Sequence, residues 1–200
     1  MYYINSFNFS SLNKFRHYKE KVQKGLSLIE AAMVLALSAI VVAGVIAYYQ
    51  SASDNQKTEA TISSLTDLIS VIHSVYASQP NYQGISAEVI AKTGSLPTSM
   101  VDENNNLFTP GGSKISIGMG TFKDSSLQNY FNISFGVSNQ MCPIMARLDL
   151  GSSLSGFFIG SSSGTKYTGP LNVADSESAC ENAPHGDSTK DQTTLDYEFH

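Results

Sequence analysis

The chain has 200 residues, 42% of them hydrophobic, which supplies apolar material for one globular core and leaves too little length for several. Of its 12 basic and 17 acidic side chains, five bases (Lys14, Arg16, Lys19, Lys21, Lys24) and one acid (Glu20) fall in the first 25 residues, so that segment carries +4, and the seven bases and sixteen acids that follow carry −9. An acidic body repels phosphate, which argues against nucleic acid as a partner of the single chain, and a basic end ahead of an apolar run matches the cytoplasmic side of a membrane span.

Residues 26–49 contain no proline, and only Ser27, Glu30, Ser38 and Gly44 interrupt their apolar character. At about 1.5 Å per residue the run reaches roughly 36 Å, more than the ~30 Å hydrocarbon core of a bilayer. Ile62, Leu65, Ile69, Ile72 and Tyr76 then recur at three and four, flanked by Leu68 and Val75, as on one face of an amphipathic helix. Residues 50–60 between them are polar but hold neither Pro nor Gly, so the pattern predicts one helix over 26–78, ended by Pro80. Turn signals follow at Gly84, Gly94, Pro97, Asn104 to Asn106 and Pro110 to Gly112, around a short helix predicted over 87–92. Period-two alternation predicts strands over 113–119 and 130–137, a short helix over 141–150 carries Pro143 in its first turn, and 156–160 reads as a short apolar strand. A helical turn is expected over 175–182. The tail 194–200 alternates again, with Leu195, Tyr197 and Phe199 opposed to Asp196, Glu198 and His200. The elements together predict an α+β fold whose antiparallel sheet is closed by the last segment of the chain.

Cys142 and Cys180 are the two cysteines, and in an exported domain they most simply form one disulfide, closing a stretch rich in Gly and Ser. No nucleophile elbow, zincin, phosphate-binding or dinucleotide-binding motif occurs, and His17, His73, His185 and His200 have no metal-site spacing. The expectation is a protein without enzymatic activity, cofactor or metal. His73 reads as an ordinary residue at the edge of a core, Gly44 as a helix-packing position, and Asp175, Glu177 and Glu181 as a solvated face without a calcium-loop pattern.

Three readings fit the first fifty residues: a secretory signal peptide cut near residues 51–53, a one-span anchor, and a leader followed by an assembly helix. A centrally placed Glu30 costs an anchor about 2.5–3.5 kcal/mol on insertion scales, and an acid is foreign to a signal peptide's apolar core. The local order of the third reading carries a resemblance: KGLSLIEAAMVLAL is similar to the prepilin peptidase site of type IV pilins. The leader of 25 residues and Leu26 as first mature residue look like the type IVb branch. AYYQSASDNQ, LFTPGG, CPIMARLDLGSSLSGFFI and the closing ACEN and LDYEF are similar to the bundlins of bundle-forming pili and to the pilins of conjugative thin pili.

That resemblance implies a type IV pilin fold, a long N-terminal helix packed on an antiparallel sheet with one disulfide. The implied segments are a leader over 1–25, a membrane and filament-core helix over 26–50, an amphipathic helix over 51–78, and a loop, sheet and disulfide-closed region over 79–200. It implies cleavage after Gly25, N-methylation of Leu26, and Glu30 as the residue that sets subunit register. The partners implied are further copies of the chain, prepilin peptidase, the inner-membrane assembly machinery, the membrane before assembly, and a host or bacterial surface receptor. The implied role is that of a major structural subunit, held in the inner membrane as a precursor and then carried in a surface pilus for adhesion, aggregation or conjugative contact. The alternatives are a minor pilin or type II secretion pseudopilin and, in a different class, a secreted enzyme or binding module behind a signal peptide.

Overall fold

The computed structural model describes residues 27–160, 164–184 and 192–200, and the chain divides into two compact units, Met1–Ile46 and Ala47–His200. The leader over 1–25 lies outside the described residues, as do Gly25 and Leu26. In the first unit, α1 (Leu28–Tyr76) begins with a stretch in which no residue up to 50 is buried. Among the described residues α1 is the helix long and apolar enough to cross a membrane. A hydroxyl within such a run needs a local acceptor, and the Ser38 hydroxyl donates to the Val34 carbonyl at 2.8 Å.

In the second unit, α1 buries Thr58, Thr61, Leu65, Leu68, Ile69 and Ile72. The stripe is rotated from the predicted one: Ile62 and Tyr76 pack at its margin, and two threonines extend it toward the N-terminal side. Apolar periodicity could not find them, since Thr58 satisfies its hydroxyl on the Asp54 carbonyl at 2.8 Å and presents its methyl like a valine. α1 ends at Tyr76, ahead of Pro80 as the pyrrolidine ring requires. α2 (Ala87–Lys92) starts where Ser86 accepts a hydrogen bond from the Val89 N–H, a side-chain cap that satisfies one of the helix's free donors. A 3₁₀ turn (Thr98–Met100) follows, with Met100 buried.

β1 (Leu107–Phe108), β2 (Lys114–Met119), β3 (Phe131–Ser138), β4 (Leu154–Ile159) and β5 (Gln192–Phe199) form one antiparallel sheet in the order β1-β2-β3-β5-β4. The terminal strand lies inside the sheet, paired with β3 along eight residues on one side and with β4 on the other. Phe131, Ile133, Phe135 and Val137 of β3 and Leu195, Tyr197 and Phe199 of β5 turn to the face that shares a core with α1. The Tyr197 hydroxyl, buried there, donates to the Met145 carbonyl at 3.2 Å.

The bounds of two short helices differ from those predicted for a local reason. α3 (Cys142–Ala146) stops four residues before the predicted end because the Ala146 carbonyl accepts from the Leu171 N–H at 3.0 Å, which ties the chain to the segment leading into α4. α4 (Val173–Glu181) starts two residues earlier than predicted because Asn172 caps it, accepting from the Asp175 N–H at 2.9 Å. The two-residue β1 lies among the turn signals of the sequence and is too short to show a period.

Candidate functional site

Glu30 lies in the first turn of α1 and is exposed, in a run whose neighbours Leu28, Ile29, Met33 and Val34 are 56–91% exposed. An acid there interacts favourably with the unpaired N–H groups of the helix start. Along the helix, a Cβ at Gly44 would meet nothing within 4 Å, so a packing role for this glycine belongs to contacts outside the single chain. The surface these residues form is apolar all round and carries one carboxylate near its beginning.

At the other end of the chain, Cys142 and Cys180 form a disulfide with Cα atoms 6.0 Å apart, joining the first residue of α3 to the last turn of α4. The enclosed stretch is less loose than its Gly and Ser content implies. β4 lies within it, and Phe157, Phe158 and Ile159 are buried through its pairing with β5. Asp175, Glu177 and Glu181 are exposed on α4, as expected of a solvated face.

His73 sits between α1 and the rings of Tyr82 and Phe131, with centroids at 6.3 and 5.5 Å, and its Nδ1 is 3.2 Å from the Tyr82 hydroxyl. Its Nε2 is buried without a hydrogen-bond partner. Burial, and secondarily the charge of His200, push its pKa below the usual imidazole value.

The alternation of the tail placed Asp196 and Glu198 opposite the core face, where a half-exposed sheet would show them to water. They do face away from the core, but they are 5% and 1% exposed. Residues 120–125 and 164–167 cover them: the Phe122 N–H donates to one oxygen of Glu198 at 2.9 Å, and Lys166 Nζ pairs with the other at 2.5 Å. Nothing in a linear pattern announces loops folding back over a sheet. The one signal present was Gly156, where a Cβ would come within 2.5 Å of the Lys166 side chain.

The comparisons with known proteins agree with this architecture. The bundlin family model matches residues 50–200, which hold the sheet, the disulfide and the buried half of α1. The chain belongs to the bundlin family. Over 157 residues, 78% of this chain and 80% of the relative, it is 36% identical to the major structural subunit of bundle-forming pilus of Escherichia coli O111:H-. The same identity and coverage hold for that subunit in Escherichia coli O127:H6 (strain E2348/69 / EPEC). The type IV b pilin from Salmonella typhi, at 17% identity, superposes with a TM-score of 0.50 over 68% of this chain and 95% of that one, a likeness of fold. This bundlin-family chain therefore has the type IV pilin fold, with its long helix, antiparallel sheet and single Cys142–Cys180 bridge.

Proposed function

We propose that the chain is the major structural subunit of a type IVb pilus, made as a precursor, cleaved between Gly25 and Leu26, methylated on Leu26, and polymerised through its N-terminal helix. The observation that carries this reading is the unburied apolar run of α1, where Leu28, Leu35, Leu37, Ile40 and Val41 are 64–91% exposed. An apolar helix of that length is not left in water: a bilayer covers it before assembly and neighbouring copies cover it in a filament. Membership of the bundlin family, whose relatives include major structural subunits of bundle-forming pili, supports the same conclusion.

In this reading residues 1–25 are the leader, 26–50 the membrane and filament-core segment, 51–78 the domain's own part of the helix, and 79–200 the surface-bearing region. Cleavage creates a cationic α-amine on Leu26, and Glu30 of a neighbouring copy pairs with it. Opposite charges about 4 Å apart at an effective dielectric of about 20 attract by about 4 kcal/mol, comparable with the ~2.5–3.5 kcal/mol cost of placing the acid in lipid. The pair therefore sets stagger more than it adds strength, because a copy docked out of register buries an unpaired carboxylate. Prepilin peptidase and an inner-membrane assembly machine are the required partners, and the mature chain resides in a surface filament that serves adhesion or aggregation.

Mass spectrometry of the chain recovered from sheared filaments tests this directly. The expected mature N-terminus is Leu26 carrying one added methyl group, in filaments composed mainly of this chain. A mature chain beginning near Asp54, or filaments in which this chain is a trace component, overturns the reading.

A further inference from the structure

The face of the sheet turned away from α1 holds two carboxylates that pilus assembly through the helix does not use. Asp196 and Glu198 lie two residues apart on β5 and point to the same face. Since β5 is paired on both sides, each acid sits in a cross-strand row: Ser116, Ser134, Asp196 and Phe158 form one, and Gly118, Asn132, Glu198 and Gly156 the other. Glu198 holds two segments down at once. Phe122 comes from the β2–β3 connection and Lys166 from the chain after β4, so a single carboxylate gathers residues 76 and 32 positions away. Asp196 accepts from the Ser134 hydroxyl at 2.5 Å, and Lys166 pairs with Glu198 instead.

The cover over Asp196 is thin. Phe122 meets Phe158 edge-to-face at 6.2 Å, and Lys123 Nζ lies 5.5 Å from the centre of the Phe158 ring. A second buried negative charge beside Glu198 has to be hydrated or shared with Lys166, and either outcome lifts the loops that keep water out. We propose that Asp196 is a proton-dependent latch: while its carboxyl is protonated the 120–125 and 164–167 segments stay clasped over Glu198, and its ionisation loosens both. Burial, and then the neighbouring Glu198 charge, push the Asp196 carboxyl above its usual range against the opposing Ser134 hydrogen bond, so the loosening accompanies a rise of pH toward neutrality.

The other titratable groups do not supply this response. The lysines of this region are Lys166, paired with Glu198; Lys123, over the Phe158 ring; and Lys114, exposed on β2. Asp124 in the β2–β3 connection is held below its ordinary value by hydrogen bonds from the Ser126 hydroxyl and N–H, so it is already ionised there. β3 and β4 contribute Ser134, Asn132, Phe158 and Gly156, none of which titrates. Exposed His200 ends β5, and His73 lies on the core side of the sheet; both remain in every variant below.

Hydrogen exchange of the full chain in neutral detergent, read by mass spectrometry from pH about 4.5 to about 8 and corrected for intrinsic rates, tests the latch. Peptides covering 119–127 and 164–168 are expected to lose protection severalfold as pH rises, with an upper limit of about tenfold per pH unit for release of one proton, while β3 keeps its protection. Asp196→Asn is expected to remove the pH dependence, and Glu198→Gln to leave both segments poorly protected at every pH with β3 intact. Ser134→Ala, which deletes the hydrogen bond that favours the ionised form, is expected to move the midpoint to higher pH. Protection that does not vary with pH in the unmodified chain, a dependence that survives Asp196→Asn, or a midpoint unmoved by Ser134→Ala overturns the proposal.

Discussion

Residues 28–46 of α1 leave Leu28 91%, Leu35 71% and Ile40 70% exposed, whereas further along the same helix Leu68 and Ile72 are completely buried. The backbone geometry is continuous, so the difference lies in what each side chain has to touch. Leu68 and Ile72 meet the sheet, where full burial of an aliphatic side chain stabilises by about 1.5–3 kcal/mol. Leu35 and Ile40 have equivalent chemistry and no such partner in their own chain. The comparison teaches that helix formation and apolar satisfaction are separable: one stretch contributes to the fold of its domain, and the other leaves its apolar surface without a partner among the described residues of its own chain.

Four measurements break or sharpen that contrast, ordered by their expected effect on the domain's stability. Ile72→Ala opens a cavity at a site with no exposure and is expected to destabilise the domain by about 2–5 kcal/mol in chemical denaturation. A loss near zero would mean that this stretch, too, is satisfied from outside. Cys142→Ser with Cys180→Ser is expected to cost about 3–4 kcal/mol, because the bridge limits the entropy of a long loop in the unfolded chain; an unchanged melting temperature would refute a structural role for the bridge.

The third concerns His73, whose lowered pKa gives a definite sign. A base that prefers to be neutral when folded contributes stability that is present above its ordinary value of 6.5 and is lost as pH falls below it. Domain melting, measured in an Asp196→Asn background to remove the opposing contribution, is expected to fall between pH about 7.5 and about 5, and His73→Gln is expected to flatten that decline. Equal slopes with and without His73 would place the response elsewhere. The smallest effects on domain stability belong to Leu35→Ala and Glu30→Gln, both expected within about 0.5 kcal/mol of the unmodified chain. Their consequences are expected outside the domain: weaker membrane retention for Leu35→Ala, and impaired incorporation into filaments for Glu30→Gln. Normal incorporation of the Glu30→Gln chain would remove its registering role.

What was legible in the sequence was whatever depends on neighbours close along the chain. The apolar run and the amphipathic stripe that follows it show a helical period, β3 shows a period of two, and each matches its element to within a residue or two. The apolar segment, the acid at position 30 and the preceding Gly25 are readable as a motif without any fold, because all three lie within one short stretch of sequence. Two cysteines in an exported acidic domain announce their pairing by having no other candidate.

Tertiary structure decided the rest. Thr58 and Thr61 are buried on α1 beside the apolar stripe, and a threonine is not counted in an apolar period. α3 ends early because the Ala146 carbonyl finds a partner 25 residues away in Leu171. Most clearly, Asp196 and Glu198 alternate with core residues as solvent-facing acids do, and become buried because Phe122 of the β2–β3 connection and Lys166 after β4 are brought over them. Local periodicity reports which face of a strand a side chain points to; whether water reaches that face depends on long-range chain return, which leaves no periodic trace in the residues it covers.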